Sequence, residues 1–417
     1  MARRYFGTDG VRGIVGEELT AELVERLGRA AALWTKRGRI FIGRDTRASG
    51  PALERAFARG VVSAGGNAVL GGVLPTPAVA LLALDLGVVV SASHNPPEYN
   101  GVKFFDGDGR KLTDAAEEEI EALLDARPVV EEGQMDEVSV ATDSYLEHVL
   151  QRFGSDLSRL RLVVDCANGA YSGIAPDAFR RLGATVQAIA DEPNGGNINL
   201  GCGATDLALL QETVRAGEFD LGIAFDGDGD RMLAVDASGE PVDGDQIVAV
   251  LALHLGVETV AVTTMTNLGF HRLMEAHGIR VVTTDVGDRY VLEALHREGA
   301  VLGGEQSGHV ICLDGHVTGD GLAAALLLCR ALDRRSLAEA VSVMTKYPQV
   351  LANVPVRSKV IPLDLRQEIE RLNGGGRVLV RPSGTEPLIR VLAEAETEQA
   401  AERLCASIAT LVRRELG

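Results

Sequence analysis

The sequence predicts an α/β protein that is divided into several domains. Short apolar segments alternate with amphipathic ones along most of the chain; a strand over 39–42, for example, precedes a helix over 51–64 and a strand over 67–70. Such alternation is typical of βαβ units and of mixed or largely parallel sheets. Because 417 residues are too many for one hydrophobic core, we expect two to four domains.

The same pattern recurs further along the chain. A helix over 76–84 leads to a strand over 87–90, and two more strand–helix–strand units follow. Their predicted strands are 162–165, 185–189, 259–263 and 280–283, and their predicted helices are 175–182 and 270–277. The apolar run 322–329 is too short to cross a membrane and predicts a buried helix.

Composition and charge narrow the class of protein. Lys and Arg number 41 against 59 Asp and Glu, and this net charge of −18 argues against sequence-independent binding to nucleic acid or to an anionic membrane. Five cysteines without a Cys-x-x-Cys pair indicate reduced thiols and a cytoplasmic location. We expect neither a signal peptide nor a membrane span, and we expect the acidic run 114–137 to be a solvated helix face and linker.

Three apolar strands run directly into polar loops that contain Gly or Ser. These loops are Ser91–Pro96, Asp226–Arg231 and Glu305–His309. Ligand groups gather at the carboxyl ends of strands in open α/β sheets, so we expect three domains to present these loops to one cleft. A fourth polar loop, Arg381–Pro387, follows a predicted strand over 377–380.

The loop Asp226-Gly-Asp-Gly-Asp-Arg231 is the strongest indication of a metal site. Three carboxylates separated only by glycine can turn their oxygens toward one point, and hard cations such as Mg²⁺ prefer oxygen ligands. A calcium EF-hand needs Gly at position six and Glu at position twelve, where this chain has Arg231 and Ala237. The alternative that remains is an Asp/Gly surface turn.

Ser93 follows a buried-looking strand, and Pro96 and Pro97 stiffen the turn that holds it. A serine hydroxyl is a poor nucleophile unless it is activated or modified, and no Gly-x-Ser-x-Gly elbow is present, which argues against an α/β-hydrolase. Lys103 lies on the next predicted strand and is a candidate acid, base or charge partner. From spacing alone, a capping serine fits Ser93 better than a nucleophile does.

The C-terminal loop combines a guanidinium, two hydroxyls and exposed backbone, a combination that binds phosphate dianions. A plain Pro/Gly turn is the alternative. The loop Glu305–His309 offers an acceptor and a donor with little bulk, as a polyol requires, but an ordinary polar loop fits equally well. No Gly-x₄-Gly-Lys-[Ser/Thr] motif indicates a P-loop nucleotide site.

Taken together, these segments resemble the α-D-phosphohexomutase family along nearly the whole chain. Each segment is modestly specific, and all six in this order are highly specific. The segments are Phe6–Arg12, Gly43–Arg47, Ser91–Pro96, Asp226–Arg231, Gly304–His309 and Arg381–Pro387.

The resemblance implies three related α/β domains with mixed sheets and a C-terminal α+β domain around a central cleft. We place the domains at 1–140, 141–240, 241–345 and 346–417, which carry the phosphoserine, metal-binding, sugar-binding and phosphate-binding loops, respectively.

The resemblance also implies a role for each candidate residue. Ser93 becomes phosphoserine, and its oxygen joins Asp226, Asp228 and Asp230 as a ligand of Mg²⁺. The remaining residues divide into those around the transferring phosphoryl group, those that meet the sugar and those that hold the second phosphate. They are Arg12, His94, Lys103 and Arg231; Glu305, Ser307 and His309; and Arg381, Ser383, Gly384, Thr385 and Arg390.

The implied reaction passes a phosphoryl group from Ser93 to a sugar phosphate, giving a bisphosphate that turns over and returns its other phosphate. Gln306 and the segment 347–351 favour the branch acting on glucosamine phosphates, with glucosamine 1,6-bisphosphate as activating intermediate and a role in supplying cell-wall precursors. The segment Pro96-Pro-Glu-Tyr99 is commoner among glucose and mannose phosphate mutases, so that substrate choice stays open. The family further implies a homodimer.

Two hypotheses of other classes remain. A metal-dependent phosphatase would use the same aspartates and release inorganic phosphate without forming an isomer. A non-catalytic calcium-binding protein is disfavoured by the failed EF-hand spacing but would also use the triplet.

Overall fold

The chain folds around four β-sheets that follow one another along the sequence. A computed structural model describes residues 4–7, 9–127, 133–373, 376–383 and 386–417. In sequence order the described sheets contain six, five, four and three strands.

The first sheet has the strand order β1-β5-β4-β2-β3-β6, and its parallel centre ends in an antiparallel edge at β4, β5 and β1. Its strands are β1 (Val11–Ile14), β2 (Arg39–Arg44), β3 (Asn67–Val73), β4 (Leu86–Val90), β5 (Tyr99–Asp106) and β6 (Met135–Glu137). Its helices are α1 (Ala21–Trp34), α2 (Gly50–Ser63), α3 (Thr76–Leu81) and α4 (Asp114–Ala122). The first part of the acidic run predicted to be solvated, Asp114–Ala122, forms α4, but Glu117 on this helix is buried.

The second sheet repeats the arrangement in the order β11-β10-β9-β7-β8. Its strands are β7 (Arg161–Asp165), β8 (Thr185–Ile189), β9 (Leu221–Phe225), β10 (Met232–Asp236) and β11 (Pro241–Val242), and its helices are α5 (Ala141–Phe153), α6 (Ile174–Arg181) and α7 (Ala208–Ala216). Strand β11 pairs with β10, so this sheet extends two residues past the predicted boundary at residue 240.

The third sheet has the order β13-β12-β14-β15, again with one antiparallel edge. Its strands are β12 (Thr259–Thr263), β13 (Arg280–Thr284), β14 (Leu302–Gly304) and β15 (Val310–Cys312). Its helices are α8 (Gly244–Leu255), α9 (Leu268–Ala276), α10 (Asp288–Glu298), α11 (Gly321–Leu332) and α12 (Leu337–Val341).

The C-terminal unit is an antiparallel three-stranded sheet packed against helices. Its elements are β16 (Gln349–Pro355), α13 (Leu363–Leu372), β17 (Arg377–Pro382), β18 (Leu388–Glu394) and α14 (Glu398–Leu416). This unit has its own apolar core and meets the third domain through polar contacts, such as the bond from Arg377 to the carbonyl of Thr266 (2.6 Å).

One apolar cluster extends through the first three domains, and the first domain has a second core of its own. Helices α8 and α11 are apolar on nearly every face. Helix α11 packs between α5 and β10 of the second domain and α8 and β15 of its own, and all but one of its twelve residues are buried. All five cysteines are buried and free, as the sequence indicates. Within the described part of the chain, no helix has the length and apolarity that a membrane crossing demands.

The three domains place their polar loops at one equivalent position. Each loop connects the last parallel strand of its sheet to the neighbouring antiparallel strand, at β4–β5, β9–β10 and β14–β15. The residues in these connections are 91–98, 226–231 and 305–309. The recurrence of one strand-to-loop pattern in the sequence therefore reflects one recurring topology.

Asp245, in the first turn of α8, provides a test of core electrostatics. Its side chain is 2% exposed, and burial, followed by the neighbouring charge of Asp243, raises its pKa to about 7. The unfolded chain loses this proton near pH 4 but the folded chain holds it to about pH 7, so stability falls as the pH rises through that window. We expect Asp245→Asn, which cannot ionise, to stabilise the protein by roughly 2 kcal/mol more at pH 8 than at pH 5, measured by chemical denaturation.

Asp143, an exposed acid in the first turn of α5, supplies the matched control. Asp143→Asn should change the free energy of unfolding by less than about 0.5 kcal/mol at either pH. An equal effect of Asp245→Asn at both pH values would contradict the assignment of a raised pKa.

Candidate active site

The polar loops of the first three domains meet at one cavity of about 570 Å³. Of the predicted site residues, eight contribute to its wall. They are Arg12, Ser93, His94, Asp230, Arg231, Glu305, Ser307 and His309. The expected common cleft is therefore formed by loops from three separate sheets.

The three aspartates predicted to bind a metal lie together at this site, and Asp230 lines the cavity. Asp226, Asp228 and Asp230 are all buried, and each offers a carboxylate oxygen within 4.8 Å of the others. Among the described residues, Oδ1 of Asp228 and Oδ1 of Asp230 are buried without a hydrogen-bond partner. Burial, followed by the charges of Asp230 and Asp228, raises the pKa of Asp226 well above its usual range. This excess of buried negative charge and free oxygen fits a hard divalent cation.

Ser93 joins the triplet from the first domain. Its hydroxyl donates to Oδ2 of Asp226 over 2.7 Å, and the side chain is 2% exposed. The residue has a left-handed φ of 51°, which costs a non-glycine residue about 1–2 kcal/mol. The surroundings must therefore hold this turn in place. Spacing alone left Ser93 compatible with a helix cap, whereas here it caps no helix.

Two residues outside the predicted site hold the Ser93 turn by its carbonyl oxygens. Arg47 is fully buried, and its guanidinium donates to the carbonyls of Ser93 (2.9 Å), Asn95 (2.8 Å) and Tyr99 (3.0 Å). Asn199, from the second domain, donates to the Ser93 carbonyl over 2.9 Å. Because both donors bind the backbone, the hydroxyl stays free to face the carboxylates.

Lys103 enters from β5 and compensates the acidic cluster. Its Nζ lies 2.7 Å from Oδ2 of Asp228 and 3.5 Å from Oδ2 of Asp230. Burial alone would lower the pKa of Lys103, but the charges of Asp228 and then Asp9 outweigh burial and raise it. Lys103 is therefore a cation paired with the acidic cluster, which favours the charge-partner role among those that the sequence left open.

Cationic and anionic side chains alternate from Lys103 across the cavity. Lys103 lies 3.2 Å from Asp9, Asp9 lies 2.7 Å from Lys111, and Lys111 lies 2.6 Å from Asp288 of the third domain. His309 closes the chain, since its ring nitrogens lie 3.5 Å from Asp288 and 3.7 Å from Asp230. The chain of charges thus joins residues of all three α/β domains.

Three further predicted residues surround Ser93. Nδ1 of His94 lies 3.3 Å from the Ser93 hydroxyl, and partial burial, followed by the charges of Arg231 and Arg12, lowers the pKa of His94 to about 4. The imidazole is therefore neutral at pH 7. The buried Nε atoms of Arg12 and Arg231 have no hydrogen-bond partner among the described residues, so both can donate to an anionic ligand.

The third-domain loop lines the opposite wall. The Glu305 carboxylate accepts from the backbone N–H of Gly287 over 3.0 Å, and burial raises its pKa. Ser307 is exposed to the cavity. Gln306, which favours one substrate branch in the sequence, does not line the cavity and instead donates to Gln349 of the C-terminal unit (3.1 Å).

The C-terminal loop stands apart from the cavity wall. Arg381 and Arg390 face each other across β17 and β18, a pairing of like charges that is unfavourable unless anions offset it; the Glu386 carboxylate lies 3.7 Å from Arg390. The buried Ser383 accepts from the N–H of Glu386 over 3.3 Å. Gly384 and Thr385, both predicted to bind phosphate, lie outside the described residues. None of the described residues of this loop lines the cavity.

Several residues at the site were not in the predicted set. Asp9 and Arg47 lie inside motifs that the sequence singled out for their arginines and glycines, and Asp288 follows β13 in another polar Gly-bearing turn. The strand-to-loop rule would have found Asp288. Lys111 and Asn199 carry no local signal, because only the tertiary fold brings them to the site.

Fold and site define a multidomain α/β enzyme built around a buried acidic cluster. Models of the four phosphoglucomutase/phosphomannomutase domains match the chain in order: α/β/α domain I over 3–129, domain II over 143–239, domain III over 243–347 and the C-terminal domain over 340–411. The chain belongs to the phosphoglucomutase/phosphomannomutase family. This confirms the predicted resemblance, the four-domain architecture and an isomerase of the phosphohexomutase type.

Similar proteins, both named sequences and solved structures, agree with this family assignment. The chain is 46% identical to proteins named phosphoglucosamine mutase from Bacillus cereus and Bacillus anthracis, with 99% of each sequence covered. It is similar to the crystal structure of a putative phosphomannomutase from Thermus thermophilus (25% identity, TM-score 0.78, 98% of each chain covered). It shares its fold with an N-acetylphosphoglucosamine mutase of Aspergillus fumigatus, solved with GlcNAc-6P and magnesium (19% identity, TM-score 0.69, 99% and 96% covered).

Arg47 provides a test of the buried support under Ser93. Lysine keeps the charge but not the planar fork, so Arg47→Lys should leave carbonyl oxygens of the turn without donors. We expect a loss of about 2–4 kcal/mol in the free energy of unfolding and a lower kcat, measured by denaturation and steady-state kinetics.

Arg44→Lys is the matched control, because Arg44 lies three residues away and, within the described part of the chain, its side chain contacts the buried Glu54 (3.1 Å) and the backbone of Asp45 instead of the Ser93 turn. We expect Arg44→Lys to lower the free energy of unfolding by no more than about 1 kcal/mol. Equal effects of the two substitutions would show that Arg47 has no special role.

Proposed function

We propose that the protein interconverts glucosamine 6-phosphate and glucosamine 1-phosphate through phosphoserine at Ser93 and a glucosamine 1,6-bisphosphate intermediate. The observation that carries this proposal is the 2.7 Å contact between the Ser93 hydroxyl and Asp226, which places a candidate phosphoryl acceptor inside the acidic cluster. The choice of sugar follows the 46% identical relatives named phosphoglucosamine mutase.

Mg²⁺ is the proposed metal. Asp226, Asp228 and Asp230, with an oxygen of the Ser93 side chain, would hold it. When bound, it would neutralise charge on the phosphoryl oxygens, which is most of what phosphoryl transfer requires of its site.

The protein's own side chains supply the rest of the electrostatics. Arg12 and Arg231 line the cavity beside Ser93 and would bind the equatorial oxygens of the transferring group. As the sugar hydroxyl attacks phosphorus, the bond between phosphorus and Ser93 Oγ breaks and the hydroxyl must lose its proton. That proton replaces the phosphoryl group on Ser93 Oγ, and His94, whose Nδ1 lies 3.3 Å from Oγ, would hydrogen-bond to this oxygen as it leaves phosphorus.

The reaction then needs the intermediate to turn over, so that its second phosphate reaches Ser93. Glu305, Ser307 and His309 would bind the sugar hydroxyls in either orientation. The cationic pair Arg381 and Arg390, with Ser383, would bind the phosphate that is not reacting, and Gly384 and Thr385 would complete that loop. Because this loop belongs to a separate C-terminal unit, a bound ligand would link this unit to the other three domains.

Two observations bear on the competing sugars. Glu98 and Tyr99, in the segment that favours glucose or mannose phosphate mutases, do not line the cavity. The cavity wall itself mixes both signs of charge, as a ligand with a phosphate and a C2 ammonium group requires. Its acidic residues are Asp9, Asp114, Asp230, Asp288 and Glu305, and its Lys and Arg residues are Arg12, Lys111, Arg231 and Arg289.

A coupled assay with glucosamine, glucose and mannose 6-phosphates tests the proposal. We expect kcat/KM to be at least about tenfold higher for glucosamine 6-phosphate, because an ammonium-compatible wall discriminates against a neutral hydroxyl. Asp228→Asn should abolish isomer formation and serves as the control for contaminating activity. Faster turnover of glucose or mannose phosphate would contradict the choice of sugar, and stoichiometric release of inorganic phosphate without an isomer would establish a phosphatase.

A further inference from the structure

A buried polar network lies behind the metal-binding loop, away from the cavity. Its centre is Asp320, which is 2% exposed and accepts from the hydroxyls of Tyr171 (2.8 Å) and Tyr145 (2.8 Å). The two tyrosine hydroxyls also contact each other at 2.6 Å. Nε2 of His316 lies 3.1 Å from Oδ2 of Asp320, the same oxygen that accepts from Tyr145. The network joins Tyr145 and Tyr171 of the second domain to α11 of the third.

Asp320 is also the N-cap of α11. Its Oδ1 accepts from the backbone N–H of Ala323 over 2.9 Å. Burial would raise the pKa of Asp320, but the neighbouring His316 and the hydrogen bonds from the Ala323 N–H and the Tyr171 hydroxyl outweigh burial and lower it. Asp320 is therefore a fixed, ionised anchor at the start of the helix.

Tyr171 and the first residue of α11, both held by Asp320, contact Gly229, the glycine between Asp228 and Asp230. The first residue of α11, Gly321, donates its N–H to the Gly229 carbonyl over 3.0 Å. On the other side, the Tyr171 ring leaves so little room that a Cβ at Gly229 would lie 2.4 Å from it. Gly229 has a φ of +78°, and because glycine adopts positive and negative φ about equally readily, its orientation depends on contacts such as these two.

We propose that Asp320 is a positioning residue for the metal site: through Tyr171 and Gly321 it fixes Gly229, and thereby the carboxylates of Asp228 and Asp230 on either side. This inference rests on the proposed function, which places Mg²⁺ at those carboxylates. Mutation of groups that orient metal ligands without touching the metal typically weakens metal binding about 10- to 100-fold. None of the network's residues lines the cavity, so its effect on sugar binding should be small.

The test is Mg²⁺ binding by isothermal titration calorimetry to the full-length protein. Asp320→Asn keeps the shape and one acceptor but removes the charge, so we expect the Kd for Mg²⁺ to rise about tenfold. Tyr171→Phe keeps the ring against Gly229 and removes only the hydroxyl, so a several-fold rise is expected. The KM for glucosamine 6-phosphate at saturating Mg²⁺ should stay within about twofold of wild type in both variants.

Ser336→Ala is the matched control, because Ser336 caps α12 of the same domain by accepting from the Glu339 N–H and does not touch the metal loop. Its Kd for Mg²⁺ should equal that of wild type. An unchanged Kd in Asp320→Asn, or in Tyr171→Phe if Asp320→Asn does not fold, would overturn the inference while leaving the proposed function intact. Absence of Mg²⁺ binding by the wild-type protein would instead refute the metal site and the inference with it.

Discussion

The structure depends on one electrostatic constraint, the burial of three carboxylates within 4.8 Å of one another. Such a cluster is unfavourable unless cations compensate it, and at these distances each uncompensated pair costs several kcal/mol in a protein interior (about 4 kcal/mol at an effective dielectric constant of 20). Lys103 meets part of this cost directly. Alternating charges at Asp9, Lys111, Asp288 and His309 extend this compensation. The ion pairs that stabilise the acidic cluster therefore also connect the first three domains.

This constraint explains why the site residues of the first three domains lie on loops at the same position in each sheet. Each of the first three sheets turns from parallel to antiparallel pairing at its polar loop, which directs the loop away from the sheet and toward its neighbours. Ser93 arrives in a strained left-handed turn whose carbonyl is held by Arg47 and Asn199. Since the carbonyls bear the restraint, the hydroxyl can face Asp226, and modification of that hydroxyl need not disturb the turn.

Much of this arrangement could be predicted from the sequence, for identifiable reasons. Strands such as Thr185–Ile189 and Thr259–Thr263 were predicted to the residue, because short runs of apolar and β-branched residues bounded by turns give a strong local pattern. Helix ends were less predictable: the helix predicted to reach residue 84 ends at Leu81. Lys111 could not have been found, since its importance arises from a contact with Asp288 across two domains. Gln306 carried a family signal, yet it contacts the C-terminal unit rather than the cavity.

The claim on which everything else depends is that Ser93 carries the phosphoryl group. Intact-mass spectrometry after incubation with glucosamine 1,6-bisphosphate tests it most directly, on wild type, Ser93→Ala and Ser91→Ala. Ser91 lies two residues away and accepts from the Ser93 N–H (2.9 Å), so it controls for disturbance of the turn. The account predicts one phosphoryl adduct on wild type and Ser91→Ala and none on Ser93→Ala; an adduct that survives the Ser93→Ala substitution would contradict it.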